Sequence, residues 1–154
     1  MSNMNLKAKN TCKWKSYTLA FGRIKTAIQA GFPVEAIALE ESVIADRLRS
    51  VLTRAMPALK DGRGYDVGAL VVNARMYIAP REDKLLTDIN DWIRKRNIAI
   101  HGIVATKSGG EAKIPADNFV SNAMSVAKRG EILAHKLSDW ARKEIRKIER
   151  RKKP

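Results

Sequence analysis

The apolar residues of this chain recur at intervals of three and four positions, which is the spacing of one buried helix face. The clearest run lies in residues 84 to 105, which we predict to be a helix. Its apolar positions are Leu85, Ile89, Trp92, Ile93, Ile100 and Val104. Similar runs elsewhere predict an all-α protein, an up-down helical bundle of four to five helices with a long basic C-terminal helix.

Glycine and proline residues predict where the first helices begin and end. A helix over residues 14–30 should stop at Gly31, and Pro33 should open a second helix that reaches about residue 55. Pro57 ends that helix, and the sequence of residues 60–64 predicts a turn. The apolar positions of the second helix are Ile37, Ile44, Leu48 and Val51.

The rest of the chain predicts a shorter helix and a long one. The shorter helix starts at Tyr65 or Asp66 and ends before Pro80, although residues 69–72 taken alone also fit a buried strand. A loop over residues 106–115 precedes the last helix. The predicted packing seam of that helix is Phe119, Ala123, Val126, Gly130, Leu133, Leu137 and Trp140. On this seam Gly130 marks either a close approach of a neighbouring helix or a bend.

Polar residues interrupt the apolar stripe of residues 84–105 for one turn. Arg96 lies four residues after Trp92, and Asn97 lies four residues before His101. Burying polar groups of this kind costs on the order of several kcal/mol unless they find hydrogen-bond or ion-pair partners. This turn is therefore the best candidate for a functional site.

The residues Arg96-Asn97-x-x-x-His101 resemble the signature of the HEPN ribonuclease superfamily. The chain length predicts a single domain over residues 1–154, with 1–12 and 150–154 frayed, and the resemblance implies that this domain is a HEPN-like α-helical one. It also implies an endoribonuclease in which Arg96 and His101 are catalytic, and a homodimer in which two such helices form one composite site. One branch of the family, toxins paired with a nucleotidyltransferase antitoxin, has a tyrosine where this chain has Ile103. An antitoxin or regulatory protein remains an implied partner, but nucleotide transfer onto this helix is not predicted.

The chemistry of RNA cleavage fits these residue types. Histidine exchanges protons near neutral pH, RNA supplies its own 2′-hydroxyl nucleophile, and a guanidinium binds phosphate oxygens bidentately. No cofactor or metal is needed for this reaction, and we predict neither. Asn97 can hydrogen-bond the His101 imidazole. Glu41 is either a boundary residue paired with a surface base or a carboxylate that orients Arg96 or His101 from a neighbouring helix.

The net charge of +14 is concentrated at the two ends of the chain. Residues 1–34 carry six Lys or Arg and no acid, and residues 141–154 carry eight bases and two acids. This distribution fits a polyanion such as RNA, although a solubilising tail is the simpler alternative. We expect the basic end to project past the bundle. The predicted RNA-binding residues are Arg94, Lys95, Arg146, Lys147, Arg150 and Arg151.

Other features limit the class of protein. The single cysteine cannot form an intrachain disulfide, and no N-terminal apolar segment or membrane-spanning run is present in the sequence. We therefore expect a cytoplasmic protein without a membrane partner. The second histidine of the chain, His135, is predicted to be exposed, on the side of the last helix opposite its packing seam.

Two alternatives to the ribonuclease stay open, namely a non-catalytic RNA- or nucleotide-binding module and a basic α-helical adaptor. The sequence is compatible with three biological roles, namely a toxin, a defence protein or a protein of a mobile element.

Overall fold

The computed structural model of the protein describes residues 2–57, 65–79, 83–101 and 116–152. Every regular element in these ranges is an α-helix, which confirms the predicted all-α class. The five helices are α1 (Ser2–Gln29), α2 (Pro33–Ala55), α3 (Val67–Tyr77), α4 (Lys84–His101) and α5 (Ala116–Arg151). Residues 69–72 are helical, so the strand alternative is wrong. The turn predicted at 60–64 and the loop at 106–115 lie outside the described residues.

The predicted stop signals act where expected. Gly31 has φ +80°, a left-handed conformation that glycine adopts without a steric penalty. The Phe32 amide donates to the Ala27 carbonyl at 2.8 Å and the Gly31 amide to the Ile28 carbonyl at 3.2 Å, which is the Schellman arrangement at a helix end. Pro33 then opens α2 without losing a helical hydrogen bond.

Two aspartates begin the middle helices. The Asp66 side chain accepts a hydrogen bond from the Ala69 amide at 2.7 Å at the start of α3. The Asp83 side chain accepts from the Leu86 amide at 3.1 Å at the start of α4. Such N-caps satisfy amides that the first turn leaves unpaired and contribute about 1 kcal/mol each.

Helix α2 lies at the centre of the fold and packs against α1, α3 and α5, while α4 packs against α3 and α5. The four apolar positions predicted for α2 are all buried. The predicted α5 seam is largely confirmed, since Ala123, Gly130, Leu133 and Leu137 are buried. The fully buried large side chains of the core include Ile24, Ile37, Ile44, Leu48, Leu70, Leu86, Ile89, Trp92, Leu133 and Leu137.

Both ends of the chain differ from prediction. Helix α1 begins at Ser2 rather than near residue 14, and α5 continues to Arg151. The end of α5 does not simply project past the bundle, because the Lys152 ammonium donates to the Arg54 carbonyl at 2.7 Å. Glu149 also forms an ion pair with Arg54 at 3.6 Å. The basic end of α5 is therefore held beside the C-terminal end of α2.

Candidate functional site

The candidate site lies on α4, at the point where a side chain of α2 reaches it. Leu86, Ile89, Trp92 and Ala99 form the buried face of α4, and Arg96 lies on that face between Trp92 and Ala99. Its side chain is only 15% exposed, as the interrupted stripe predicted. The predicted apolar positions Leu85, Ile93 and Ile100 are partly buried against the core, and Val104 lies outside the described residues.

Arg96 is paired with Glu41, which reaches it from α2. The Arg96 guanidinium forms an ion pair with the Glu41 carboxylate, whose side chain is 30% exposed. The same guanidinium donates to the Asn97 side-chain oxygen. Burial lowers the Arg96 pKa, and its Nε is buried without a hydrogen-bond partner among the described residues. Of the two readings of Glu41, the structure favours a carboxylate that fixes Arg96.

Two predicted site residues face outward instead of into the stripe. Asn97 and His101 are both exposed, so the polar interruption of the buried face is limited to Arg96. Within the described part of the chain, the Asn97 side chain bonds Arg96 and not His101. The prediction that Asn97 orients the imidazole is therefore not met, because Asn97 is drawn to the neighbouring guanidinium.

His101 is the last residue of α4 that the structure describes. Positions 96 and 101 are about 140° apart around a regular helix, so their side chains leave α4 in different directions. His101 shares its exposed face with Arg94 and Ile98, at intervals of seven and three residues. One chain thus presents the imidazole to solvent and keeps the guanidinium against α2.

The predicted RNA-binding residues are exposed in two groups. Arg94 is 75% exposed and lies 4.0 Å from Asp91, and Lys95 lines a shallow groove of about 310 Å³ between α4 and α5. The second group lies at the end of α5. Its members are Arg146, Lys147, Arg150 and Arg151. Within that group Lys147 is paired with Glu144 at 2.7 Å.

Glu40 is the residue that the sequence analysis missed. It is fully buried, and neither carboxylate oxygen has a hydrogen-bond partner among the described residues. Burial, and secondly the charge of Glu131, raise the Glu40 pKa to about 9. Glu40 lies three residues after Ile37 and four before Ile44, so its place on the buried stripe of α2 was readable from the spacing.

Gly130 makes room for Glu40 between α2 and α5. A Cβ atom at position 130 would overlap the Glu40 carboxyl and lie 2.8 Å from the Trp92 indole nitrogen. That nitrogen donates to the Val126 carbonyl at 3.0 Å. Gly130 therefore permits a close approach, which was one of its two predicted roles. The junction of α2, α4 and α5 combines a neutral buried carboxyl at Glu40 with an ion pair at Glu41.

The described residues contain no group of three or more His, Cys, Asp or Glu side chains that could hold a metal ion. Within the same residues, no helix combines the length and the apolar character needed to cross a membrane.

In comparisons with known proteins, no family model, curated protein or solved structure matches the chain. The resemblance to the HEPN superfamily stays a prediction that rests on Arg96, Asn97 and His101.

Proposed function

We propose that the protein is a metal-independent endoribonuclease whose site forms when two copies bring their α4 helices together. The observation that carries the proposal is the arrangement of α4. Arg96 is held on one side by Glu41 of α2, and His101 is exposed at the end of the same helix. The net charge of +14 favours a polyanionic substrate. The predicted compartment is the cytoplasm.

The reaction uses groups that this chain and RNA supply. A His101 imidazole removes the proton from a ribose 2′-hydroxyl, and the resulting oxygen attacks the adjacent phosphorus. The bond from phosphorus to the 5′ oxygen breaks, and an acid protonates that leaving oxygen. The products are a cyclic 2′,3′-phosphate and a 5′-hydroxyl. The Arg96 guanidinium stabilises the charge that develops on the phosphorus oxygens.

A dimer supplies what one chain lacks. One imidazole cannot begin the reaction as both base and acid, whereas two copies contribute two imidazoles. A second copy can also bring its Arg96 toward the His101 of the first, which compensates for the angle between positions 96 and 101. Ile98 is 59% exposed one turn before His101, and this apolar side chain supports an interface along that face.

The second candidate function is RNA binding without cleavage. The observation that favours it is the state of Arg96, whose guanidinium already contacts Glu41 and Asn97. In this case Arg96 joins α4 to α2, and the basic residues bind the RNA backbone. The two candidates differ in one property, since only the first converts RNA to shorter products.

The test is incubation of the purified protein with end-labelled RNA in EDTA, beside His101→Ala. We expect the wild type to cut RNA and leave cyclic 2′,3′-phosphate ends. His101→Ala should lower the rate by at least about 100-fold, because a positioned acid or base contributes that much. The control Lys128→Gln, an exposed base on α5, should cut like the wild type. Cleavage that chelation abolishes and magnesium restores would rule out this mechanism, and RNA binding without any cleavage would favour the second candidate.

A further inference from the structure

A second cavity, of about 410 Å³, lies between α1, α2 and α5 and has no lining residue from α4. Four cationic side chains and four aromatic rings line it. The cations are Lys13, Arg47, Arg54 and Arg142, and the aromatic rings are those of Trp14, Tyr17, Phe21 and His135. We call this cavity the basic groove. Because α4 does not line it, its role is separate from that of His101 and Arg96.

The direct contacts of Arg47 in the basic groove are neutral groups, while the nearby charges of Asp46 and Asp139 also favour its charged form. Its guanidinium carbon lies 3.4 Å from the centroid of the Tyr17 ring, and its Nε donates to the Ser138 hydroxyl at 3.2 Å. Burial lowers the Arg47 pKa. Within the part of the chain that the structure describes, no carboxylate forms an ion pair with Arg47. A partly desolvated guanidinium in this state is prepared for an anion from outside the chain.

Asp46 fixes the ring on which Arg47 lies. The Tyr17 hydroxyl donates to the Asp46 carboxylate, which is also paired with Lys13 at 3.2 Å. Burial, together with the hydrogen bond to Asp46, raises the Tyr17 pKa, so this hydroxyl stays protonated at neutral pH. The carboxylate thus satisfies Lys13 and Tyr17, and the Tyr17 ring positions the guanidinium without neutralising it.

The other two cations have carboxylate partners near the protein surface. Arg142 is paired with Asp139 at 2.6 Å, and Arg54 with Glu149 at 3.6 Å. Each of these four side chains is 45% exposed or more. Exposed ion pairs contribute little to stability, so a phosphate can compete for both arginines at small cost. Arg47 therefore offers the first phosphate contact, and Arg54 and Arg142 offer exchangeable ones.

The aromatic residues give the basic groove a surface for bases. Trp14 is 67% exposed, which leaves most of a large apolar ring in contact with solvent. Phe21 and His135 stack with ring centroids 3.9 Å apart and planes 15° from parallel. Nucleobases stack on such rings without sequence preference, whereas flexible arginines beside them bind the phosphates. Positions 14, 17 and 21 share one face of α1 because they are three and four residues apart.

We propose that the basic groove binds a short segment of single-stranded nucleic acid, with a phosphate on Arg47 and a base on Trp14. A single strand fits better than a duplex, because its unpaired bases are free to stack on the ring. The proposal does not rest on cleavage, since it uses no residue of α4. RNA and DNA single strands share this chemistry and are compared in the test.

The test measures binding of fluorescein-labelled oligonucleotides by fluorescence polarisation in EDTA. All variants carry His101→Ala, so that cleavage does not affect the result. The probes are a ten-nucleotide uridine RNA, the matching deoxyuridine DNA, which lacks only the 2′-hydroxyls, and a blunt RNA duplex. Arg47→Gln and Trp14→Ala test the two contacts. The matched controls are Lys128→Gln for charge and Leu19→Ala for an exposed apolar side chain on α1, 68% exposed.

We expect Trp14→Ala to raise the single-strand Kd at least about fivefold, since stacking one base contributes about 1–3 kcal/mol. Arg47→Gln should raise it similarly and lower the single-strand salt slope by roughly 0.7, the value for one phosphate contact. Both controls should stay within about twofold of the parent. A duplex that responds equally to Trp14→Ala would contradict base stacking.

Unchanged single-strand binding in Trp14→Ala would overturn the proposal, and so would a parent that binds neither single strand. Trp14 is exposed, so its variant should fold even if Arg47→Gln does not, and circular dichroism checks this. Tighter binding of the RNA strand would assign a contact to its 2′-hydroxyl. Equal binding of the two strands would assign recognition to base and phosphate alone. A wild type that does not cleave RNA would contradict the proposed function but would leave these binding results unchanged.

Discussion

Arg96 and Arg47 are both partly buried arginines of a basic protein, and they differ in what surrounds the guanidinium. Arg96 contacts the carboxylate of Glu41, so a phosphate that binds Arg96 has to share its guanidinium with that carboxylate. Arg47 lies on the Tyr17 ring and donates to Ser138, so its charge is available to an outside anion. Burial lowers the pKa of both. A partly buried arginine is therefore not informative by itself, and its partner decides how much of the guanidinium is left for an outside anion.

The largest expected effect concerns pH, because the junction beside Arg96 contains a buried carboxyl and the basic groove does not. Folding raises the Glu40 pKa from 4.5 to about 9, so the folded state binds more protons than the unfolded state between these values. The contribution of Glu40 to stability is then greatest below about pH 4.5 and falls as the pH rises toward 9. The slope from this group is about 1.4 kcal/mol per pH unit between these two pKa values.

Glu40→Gln should remove that dependence and raise the midpoint of urea unfolding at pH 8. The matched change Glu131→Gln, at a nearby carboxylate that is the smaller cause of the shift, should keep most of the slope. Urea unfolding followed by circular dichroism between pH 5 and pH 9 measures both. An unchanged slope in Glu40→Gln would mean that Glu40 is not the titrating group.

The next effect compares the two arginines through double-mutant cycles. The first cycle substitutes Arg96 and Glu41 separately and together. Since Arg96→Ala leaves Glu41 without its partner, we expect a coupling energy between the two residues of about 1–3 kcal/mol, between the values for exposed and buried pairs. Arg47→Ala with Tyr17→Leu should give about 0.5–1 kcal/mol, as for a cation over an aromatic ring. Urea unfolding of each single and double variant gives both energies. Equal coupling in the two cycles would remove the distinction between the arginines.

The features compared above differ in how far they could be predicted from the sequence. Helical spacing predicted the all-α class and the buried position of Arg96, and the glycine at position 31 predicted the end of α1, since each depends on residues close together in the chain. The pairing of Arg96 with Glu41 depends on how α2 and α4 meet, so the sequence could only offer it as one of two readings. The basic groove combines residues of three helices, and its single local signal was the spacing of Trp14, Tyr17 and Phe21 on α1.

The start of α1 was predicted too late for a physical reason. Residues 2–13 are mostly polar and carry few large apolar side chains, so they lack the stripe that marks a helix. Helix formation there depends on continuation from a packed segment. The long basic end of α5 was predicted, but its contacts with α2, where Glu149 and Lys152 meet Arg54, were not.

The smallest expected effect concerns the end of α5. Removal of Arg146–Pro154 takes away six bases and should weaken RNA binding and reduce its salt dependence by up to roughly 0.7 per lost phosphate contact. The loss of the Arg54–Glu149 pair should cost less than about 1 kcal/mol, because the pair is exposed. Polarisation titrations from 50 to 300 mM salt and a melting curve measure the two effects. An unchanged salt slope would show that this end serves solubility alone.

The most direct test of the account separates cleavage at α4 from binding in the basic groove by measuring kcat and KM on RNA in EDTA. We predict that His101→Ala lowers kcat at least about 100-fold and leaves RNA binding within about twofold. Arg47→Gln should raise KM at least about fivefold with kcat nearly unchanged, because it removes a contact made equally in the ground and transition states. A wild type that never cuts RNA, or an Arg47→Gln variant that loses kcat as His101→Ala does, would contradict this division of roles.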